Sequence, residues 1–369
     1  MAAQAIDIGG RVSTLLTDIL RTPSDSLKLD TRHWETLIWQ GRAAELLGQL
    51  RRAIEQAGLL EHVPSQARRH LDSAWKISEL HHAAVSYELS HIKDALIKLD
   101  IPVVLLKGAA YCALNNIAAS GRVFNDIDIL IPKASLESAE ERMLGAGWIP
   151  THLNDYDQRY YREWMHELPP MEHKNRSTVI DVHHTIIPPT SGIKLVAEKL
   201  FASALTVQDP KLSFFKVLGP EEMIIHSSCH LFFGEFHKGL RDLYDLHTLF
   251  SEHSAEAAFW ERLLVRAEDL GLAQPVLDAI NESRRLFGTK VPNLIVGKLP
   301  SQRGKKISQL ARRWLFDMAL RPNHPSAKST SSHFAQLLIF ARSHWLRMPL
   351  PLLIYHLGHK AFFSEKRSH

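Results

Sequence analysis

Cysteine is scarce: Cys112 and Cys229 are the only two in 369 residues, far apart and each inside an apolar, helix-like segment. That argues against a disulfide framework and a thiolate zinc site, and it leaves both as buried structural thiols. Long hydrophobic runs are lacking too. No stretch approaches the roughly 20 apolar residues that cross a bilayer, and no N-terminal segment combines a basic region, an apolar core and a small-residue cleavage site. A cytoplasmic protein is the expectation. No internal repeat of roughly 20 to 50 residues is evident, so a solenoid is not expected. What the chain does have is a hydrophobic content of 45%, enough for a substantial core in one large or two to three small domains.

Acidic charge is nearly missing from one end. From Gly297 onward, 13 Lys and Arg face only Asp317 and Glu365, a balance of +11; residues 1–296 hold 31 basic against 38 acidic residues, or −7. Such a tail can meet a membrane surface, a polyanion or the acidic body of its own protein, and charge alone does not separate these. The Phe340–Phe363 stretch, with Arg342, Trp345, Arg347 and Lys360, reads either as an interfacial helix or as one packed on the body. Peripheral contact with the inner face of the membrane through 297–369 stays open, and nucleic acid is not the expected partner.

Apolar positions recur at helical spacing through Val12, Leu15, Leu16, Ile19 and Leu20, then Leu37 and Ile38, then Ala44, Leu47 and Leu50. A long helix is predicted from Gln66 to Leu99, ended by Pro102. At Ile101 the texture changes. Ile-Pro-Val-Val-Leu-Leu reads as a buried strand ending at Lys107-Gly108, with a helix from Ala109 to about Ala118. A strand over 124–131 follows, then a helix over Leu136–Leu144 closed by Gly145 and Gly147. Weaker strand signals lie near Trp148–Leu153 and Tyr156–Tyr161, and a clearer one over Ser177–Ile187 stops at Pro188 and Pro189. Helical periodicity then covers 193–206, 220–234, 238–252, 255–270, 272–287, 303–320, 332–346 and 352–363, with linkers at Lys290–Pro300 and Arg321–Ser332. The fold class is α+β: a helical lead-in over 1–100, a small mixed-sheet core over 101–190, a helical domain over 191–296 and a basic helical tail over 297–369.

Within the core, Asn125-Asp-Ile-Asp-Ile-Leu130 sets two carboxylates one residue apart among Phe124, Ile127, Ile129 and Ile131. On a strand, Asp126 and Asp128 share one face while Ile127 and Ile129 enter the core. Add Asp181 on a neighbouring strand and a glycine turn after the preceding one, and the pattern describes a divalent-metal site for phosphoryl chemistry. The metal would also offset the repulsion between the carboxylates. The blander reading is a solvated edge strand.

These residues resemble the nucleotidyltransferase superfamily with a polymerase-β-like fold, whose signature is strand, Gly-Ser turn, helix, Asp-x-Asp and a distant Asp or Glu. More narrowly, Leu106-Lys107-Gly108, Arg122-x-x-x-Asp126-Ile-Asp128-Ile-Leu130 and Ile180-Asp181-Val182-His183 look like the uncharacterised bacterial nucleotidyltransferases, often companions of surface-polysaccharide gene sets. The likeness extends more loosely over roughly 30–250 and takes in His226, His230 and Arg241-Asp242-x-x-Asp245.

The resemblance implies a polymerase-β-like core embedded between N- and C-terminal helical domains. It implies that Asp126, Asp128 and Asp181 are the catalytic carboxylates and ligate Mg²⁺ or Mn²⁺, and that Lys107, Gly108, Arg122 and His183 meet the nucleotide. The substrate would be a nucleoside triphosphate, ATP first, whose nucleoside monophosphate passes to a hydroxyl or phosphate of an unidentified small-molecule, glycan or protein acceptor. One position departs: Ala109 stands where the superfamily has serine. A non-catalytic scaffold with a decayed nucleotide site is therefore the alternative, alongside a basic-tail binder.

Several side chains carry two readings. Lys107 can instead face solvent at its strand end, and Arg122 can pair with Asp126. His226-x-x-x-His230 has zinc spacing, but with Ser227 and Ser228 and no glutamate between them it suits packing or hydrogen bonding beneath the site. Arg241 and Asp245, four apart, can pair on a helix surface.

Overall fold

The structure, a computed structural model, describes residues 12–151, 154–298 and 306–363. Four helices lead in: α1 Leu15–Arg21, α2 Thr31–Ala43, α3 Leu47–Gln56 and α4 Ser65–Leu96. A sheet-forming stretch follows, with β1 Val103–Leu105, α5 Lys107–Ala113, β2 Asp126–Leu130, α6 Leu136–Gly145, β3 Trp148–Pro150, α7 Asp155–Arg159, β4 Met171–His173, β5 Val179–His183, α8 Glu198–Ser203, β6 Leu205–Thr206 and β7 Phe215–Val217. The remaining described elements are helices: α9 Pro220–Phe233, α10 Gly239–Glu252, α11 Ala257–Asp269, α12 Ala273–Phe287, α13 Asn293–Lys298, α14 Lys306–Ala319, α15 Thr330–Arg347 and α16 Leu350–Phe363. Among the described residues no helix is long and apolar enough to cross a membrane.

The seven strands form one mixed sheet in the order β3-β4-β5-β2-β1-β7-β6. Its centre is apolar on both sides, as a covered sheet requires: Val103, Val104 and Leu105 are fully buried. β2 runs antiparallel to β1 and parallel to β5, with Asp128 opposite Asp181 and Leu130 opposite His183. Because side chains alternate along a strand, this register sets Asp126, Asp128 and Asp181 on one face. Ile127, Ile129, Ile180 and Val182 take the other, where none is more than 2% exposed.

Two parts of the sheet differ from the sequence reading. β7 lies parallel beside β1, and β6 pairs with β7, so strands beyond residue 190 complete a sheet expected within 101–190. A single helix was predicted over 193–206, but strands of two and three residues are too short to show a period of two. The strand predicted near Tyr156–Tyr161 is helical, with α7 running into a π turn over Tyr160–Trp164. Asn154 caps it by accepting from the Asp157 N–H, and Tyr156 stacks on His359 of α16 with ring centroids 3.5 Å apart.

The basic tail meets the body at the C-terminus of α9. Arg342 and Arg347 of α15 donate to the Phe232 and Phe233 carbonyls at 2.5 and 3.1 Å, where the helix end leaves carbonyls without intrahelical partners and favours positive charge. The outer side of α15 is apolar, with Phe334, Leu337 and Trp345 all more than half exposed.

Candidate active site

β1 delivers the chain into α5 through Lys107, which sits at φ +41°, a left-handed conformation that costs a side-chain-bearing residue roughly 1–2 kcal/mol. Its ammonium reaches Asp128 Oδ1 at 2.8 Å. Gly108 has a packing reason to be glycine: an added Cβ would lie 2.3 Å from Phe124 Cδ1. Ala109, at the superfamily's serine position, is 2% exposed and belongs to the hydrophobic core.

Asp128 is the most constrained of the three aspartates. Its Oδ1 accepts from Lys107 and also meets His183 Nε2 at 2.9 Å. Burial pushes the Asp128 carboxyl up, but Lys107 and the His183 hydrogen bond outweigh it and hold the group well below the usual carboxylate range. Asp126 is more exposed and is pushed up, first by the Asp128 charge and then by burial. Asp181 is raised to about 8 by burial, then by Asp128 and Glu167, and its Oδ1 is buried without a hydrogen-bond partner. Burial works against the Lys107 charge too, yet Asp128, Asp126 and Asp181 together keep the ammonium protonated. The trio therefore carries more negative charge than this setting tolerates.

The aspartates Asp126 and Asp128 look into a cleft of about 340 Å³ that is also lined by Lys238, Arg241 and Arg347 together with Glu235 and Asp242; each of the three cations is paired, Lys238 and Arg241 with Glu45 and Arg347 with Glu235. Arg122, 8% exposed, also lines the cleft. Its guanidinium is ion-paired with Asp245, lies 3.9 Å from Asp242 and sits over the Tyr111 and Phe124 rings. The loop presenting Arg122 is fixed by a backbone approach: Gly121, at φ +78°, lies against Gly48 so closely that a Cβ on Gly48 would fall 2.1 Å from the Gly121 oxygen. The Arg241–Asp245 pair expected from helical spacing does not form. Arg241 instead holds Asp242 at 2.9 Å and Glu45 at 2.6 Å, because Arg122 occupies Asp245.

His226 is buried beneath the cleft, whereas His230 opens onto it, 3.9 Å from Asp242. The Lys107 charge, then burial, pushes the His230 imidazole far down, to about 3. Among the described residues, three or more His, Cys or carboxylate side chains bring their ligand atoms within 4.8 Å of one another at His166, Glu167 and His183; Asp126, Asp128 and Asp181 share a sheet face without approaching one another that closely, and no third ligand joins His226 and His230. His166 and Glu167 carry no sequence signal. They reach His183 because Glu167 forms an isolated antiparallel bridge with it, a long-range pairing that no local pattern encodes. Both cysteines are thiols pushed up by burial, Cys112 to about 12.

A family model described as an uncharacterised nucleotidyltransferase matches residues 30–288, from the lead-in helices through both aspartate-bearing strands to α12. The chain belongs to this nucleotidyltransferase family. No curated protein matches it. Membership brings nucleoside monophosphate transfer from a nucleoside triphosphate as the general activity. Every cleft residue described above lies within the family span except Arg347, which the tail adds.

Proposed function

We propose that the cleft is a Mg²⁺- or Mn²⁺-dependent nucleotidyl-transfer site in which Asp126, Asp128 and Asp181 hold the metal and ATP supplies the nucleotide. The observation that carries this reading is the β2–β5 register, with Asp128 opposite Asp181 and Asp126 on the same face. The donor set suits a hard cation, since all three donors are carboxylates on one sheet face and the orphaned Oδ1 of Asp181 lacks a partner that an ion would supply; the three carboxylates do not lie within 4.8 Å of one another, so a bound ion would have to draw them together. Bound there, the ion would neutralise charge developing on the phosphates and the leaving diphosphate.

The chain's own groups do the rest. His183 keeps Asp128 oriented through Nε2. Lys107, whose ammonium rests on Asp128 Oδ1, would be available to a phosphate oxygen if Asp128 were engaged by an ion. Lys238, Arg241 and Arg347 are the cleft cations that a polyphosphate could draw from their present partners Glu45, Asp242 and Glu235. The acceptor is a hydroxyl or phosphate on a small molecule, glycan or protein; a place in surface-polysaccharide metabolism rests on the resemblance.

The test is calorimetric titration of ATP with and without Mg²⁺ on the full chain and on Asp126→Asn and Asp128→Asn. Loss of the Mg²⁺-dependent binding component supports the reading, and retention in both variants overturns it. Metal-dependent binding without diphosphate release from any labelled triphosphate would instead favour the decayed, non-catalytic module.

The tail supports a second reading, peripheral attachment to an anionic bilayer. Phe334, Leu337 and Trp345 form an exposed apolar stripe, and Asp317 is the only acidic residue from 306 to 363. Co-sedimentation with anionic but not neutral vesicles, lost in Leu337→Asp/Trp345→Asp, is the expected result; no sedimentation with either would remove this reading.

A further inference from the structure

We infer that His166, Glu167 and His183 form a second metal site, for a borderline transition-metal ion such as Zn²⁺, directly behind Asp128. One donor atom from each residue lies within 4.8 Å of the others, so a small inward shift brings them to the 2.0–2.2 Å bonds that Zn²⁺ makes with nitrogen and oxygen. The donors stand on paired backbone rather than on a free loop. Glu167 bridges His183, Leu168 N–H donates to the Val182 carbonyl and His184 N–H to the His166 carbonyl, each at 2.9 Å.

The hydrogen bonding of His183 fixes which nitrogen is free. Nε2 meets the ionised Asp128 carboxylate at 2.9 Å and therefore carries the proton; a metal-ligating histidine characteristically donates its other N–H to a carboxylate in this way. Nδ1 is then turned toward Glu167 Oε2, 3.2 Å away, without a hydrogen bond between them. A buried Nδ1 without a hydrogen bond beside a carboxylate is a pair of donors that a cation, proton or metal, would join. A proton would serve His183 and Glu167 alone and would leave the buried Nδ1 of His166 still without a partner, whereas a metal engages all three residues.

Two imidazoles and one carboxylate suit Zn²⁺, while the all-carboxylate trio suits Mg²⁺, so the two positions select different ions. They share Asp128, through which the inner ion would hold His183 rigid. This site does not depend on the nucleotidyl-transfer reading, which the Mg²⁺–ATP titration tests by itself.

Cobalt(II) is the probe, because a four- or five-coordinate ion with nitrogen donors absorbs visible light far more strongly than a six-coordinate one held by oxygen. Titrated into the full chain, Co²⁺ is expected to give a saturable visible band at one equivalent. That band should be abolished by one equivalent of Zn²⁺, unaffected by a large excess of Mg²⁺ and retained in Asp126→Asn. In His166→Gln and in Glu167→Gln the Co²⁺ affinity should fall at least about tenfold, with circular dichroism and melting confirming that both variants fold. The inference is overturned if no band appears, if Mg²⁺ or Asp126→Asn removes it, or if both variants keep it. Nitrogen-15 resonances of His183 showing both ring nitrogens protonated under saturating Zn²⁺ would overturn it independently, since Nδ1 would then be carrying a proton.

Discussion

Asp128 Oδ1 accepts from the Lys107 ammonium and meets the His183 imidazole at once, and its neighbours follow from that. Lys107 and an ion at Asp128 would compete for the same carboxylate oxygen. Lys107→Met should tighten Mg²⁺ binding measured without nucleotide and weaken ATP binding by roughly tenfold, the scale of one charge-assisted contact; paired calorimetric titrations check both signs. Asp181 supplies the pH dependence. Its carboxyl is raised to about 8, so below that pH an incoming metal must displace a proton. Mg²⁺ affinity should rise by up to about tenfold per pH unit toward about pH 8 and flatten above it, and a profile flat from about pH 6 to about pH 9 would contradict this assignment. At this scale the sequence was informative where chemistry and period coincide: Asp-Ile-Asp in an apolar strand announces both a face and a function. Glu167 was silent, because its role comes from pairing with His183 across the sheet.

Elements with a long or strong period were legible. The helix predicted over 66–99 is α4 with a short 3-10 extension, and the strands over 124–131 and 177–187 contain β2 and β5. The failures were short. β6 and β7 offer two and three residues, too few for alternation to register, and α7 was misread because closely spaced tyrosines resemble a strand before Asn154 is recognised as a cap. One contact between elements bears directly on the cleft. Gly48 on α3 and Gly121 before Arg122 approach so closely that neither tolerates a Cβ without backbone movement. Gly48→Ala should cost about 1–3 kcal/mol of stability, read as a lowered Tm, and should displace the Arg122 loop enough to weaken ATP binding as well.

Across the whole molecule, the charge asymmetry was visible in composition, but its use was not. Arg285–Asp317 and Arg347–Glu235 link the tail to the body as partly exposed pairs that contribute at most about 1 kcal/mol each, and Arg312 pairs with the buried Asp278. The tail also reaches the chemistry, since Arg347 lines the cleft from outside the family span. Arg347→Ala is expected to weaken ATP binding several-fold with a smaller change in Tm than Gly48→Ala. The central claim is that β2 and β5 together make the metal site, and Asp181→Asn tests it most directly. ATP titration in the presence of Mg²⁺ should show affinity reduced at least about tenfold, or roughly 1.4 kcal/mol, in a variant whose Tm is no lower than that of the parent chain, because a buried carboxyl gives way to a neutral amide. Unchanged Mg²⁺-dependent ATP binding in Asp181→Asn would contradict it.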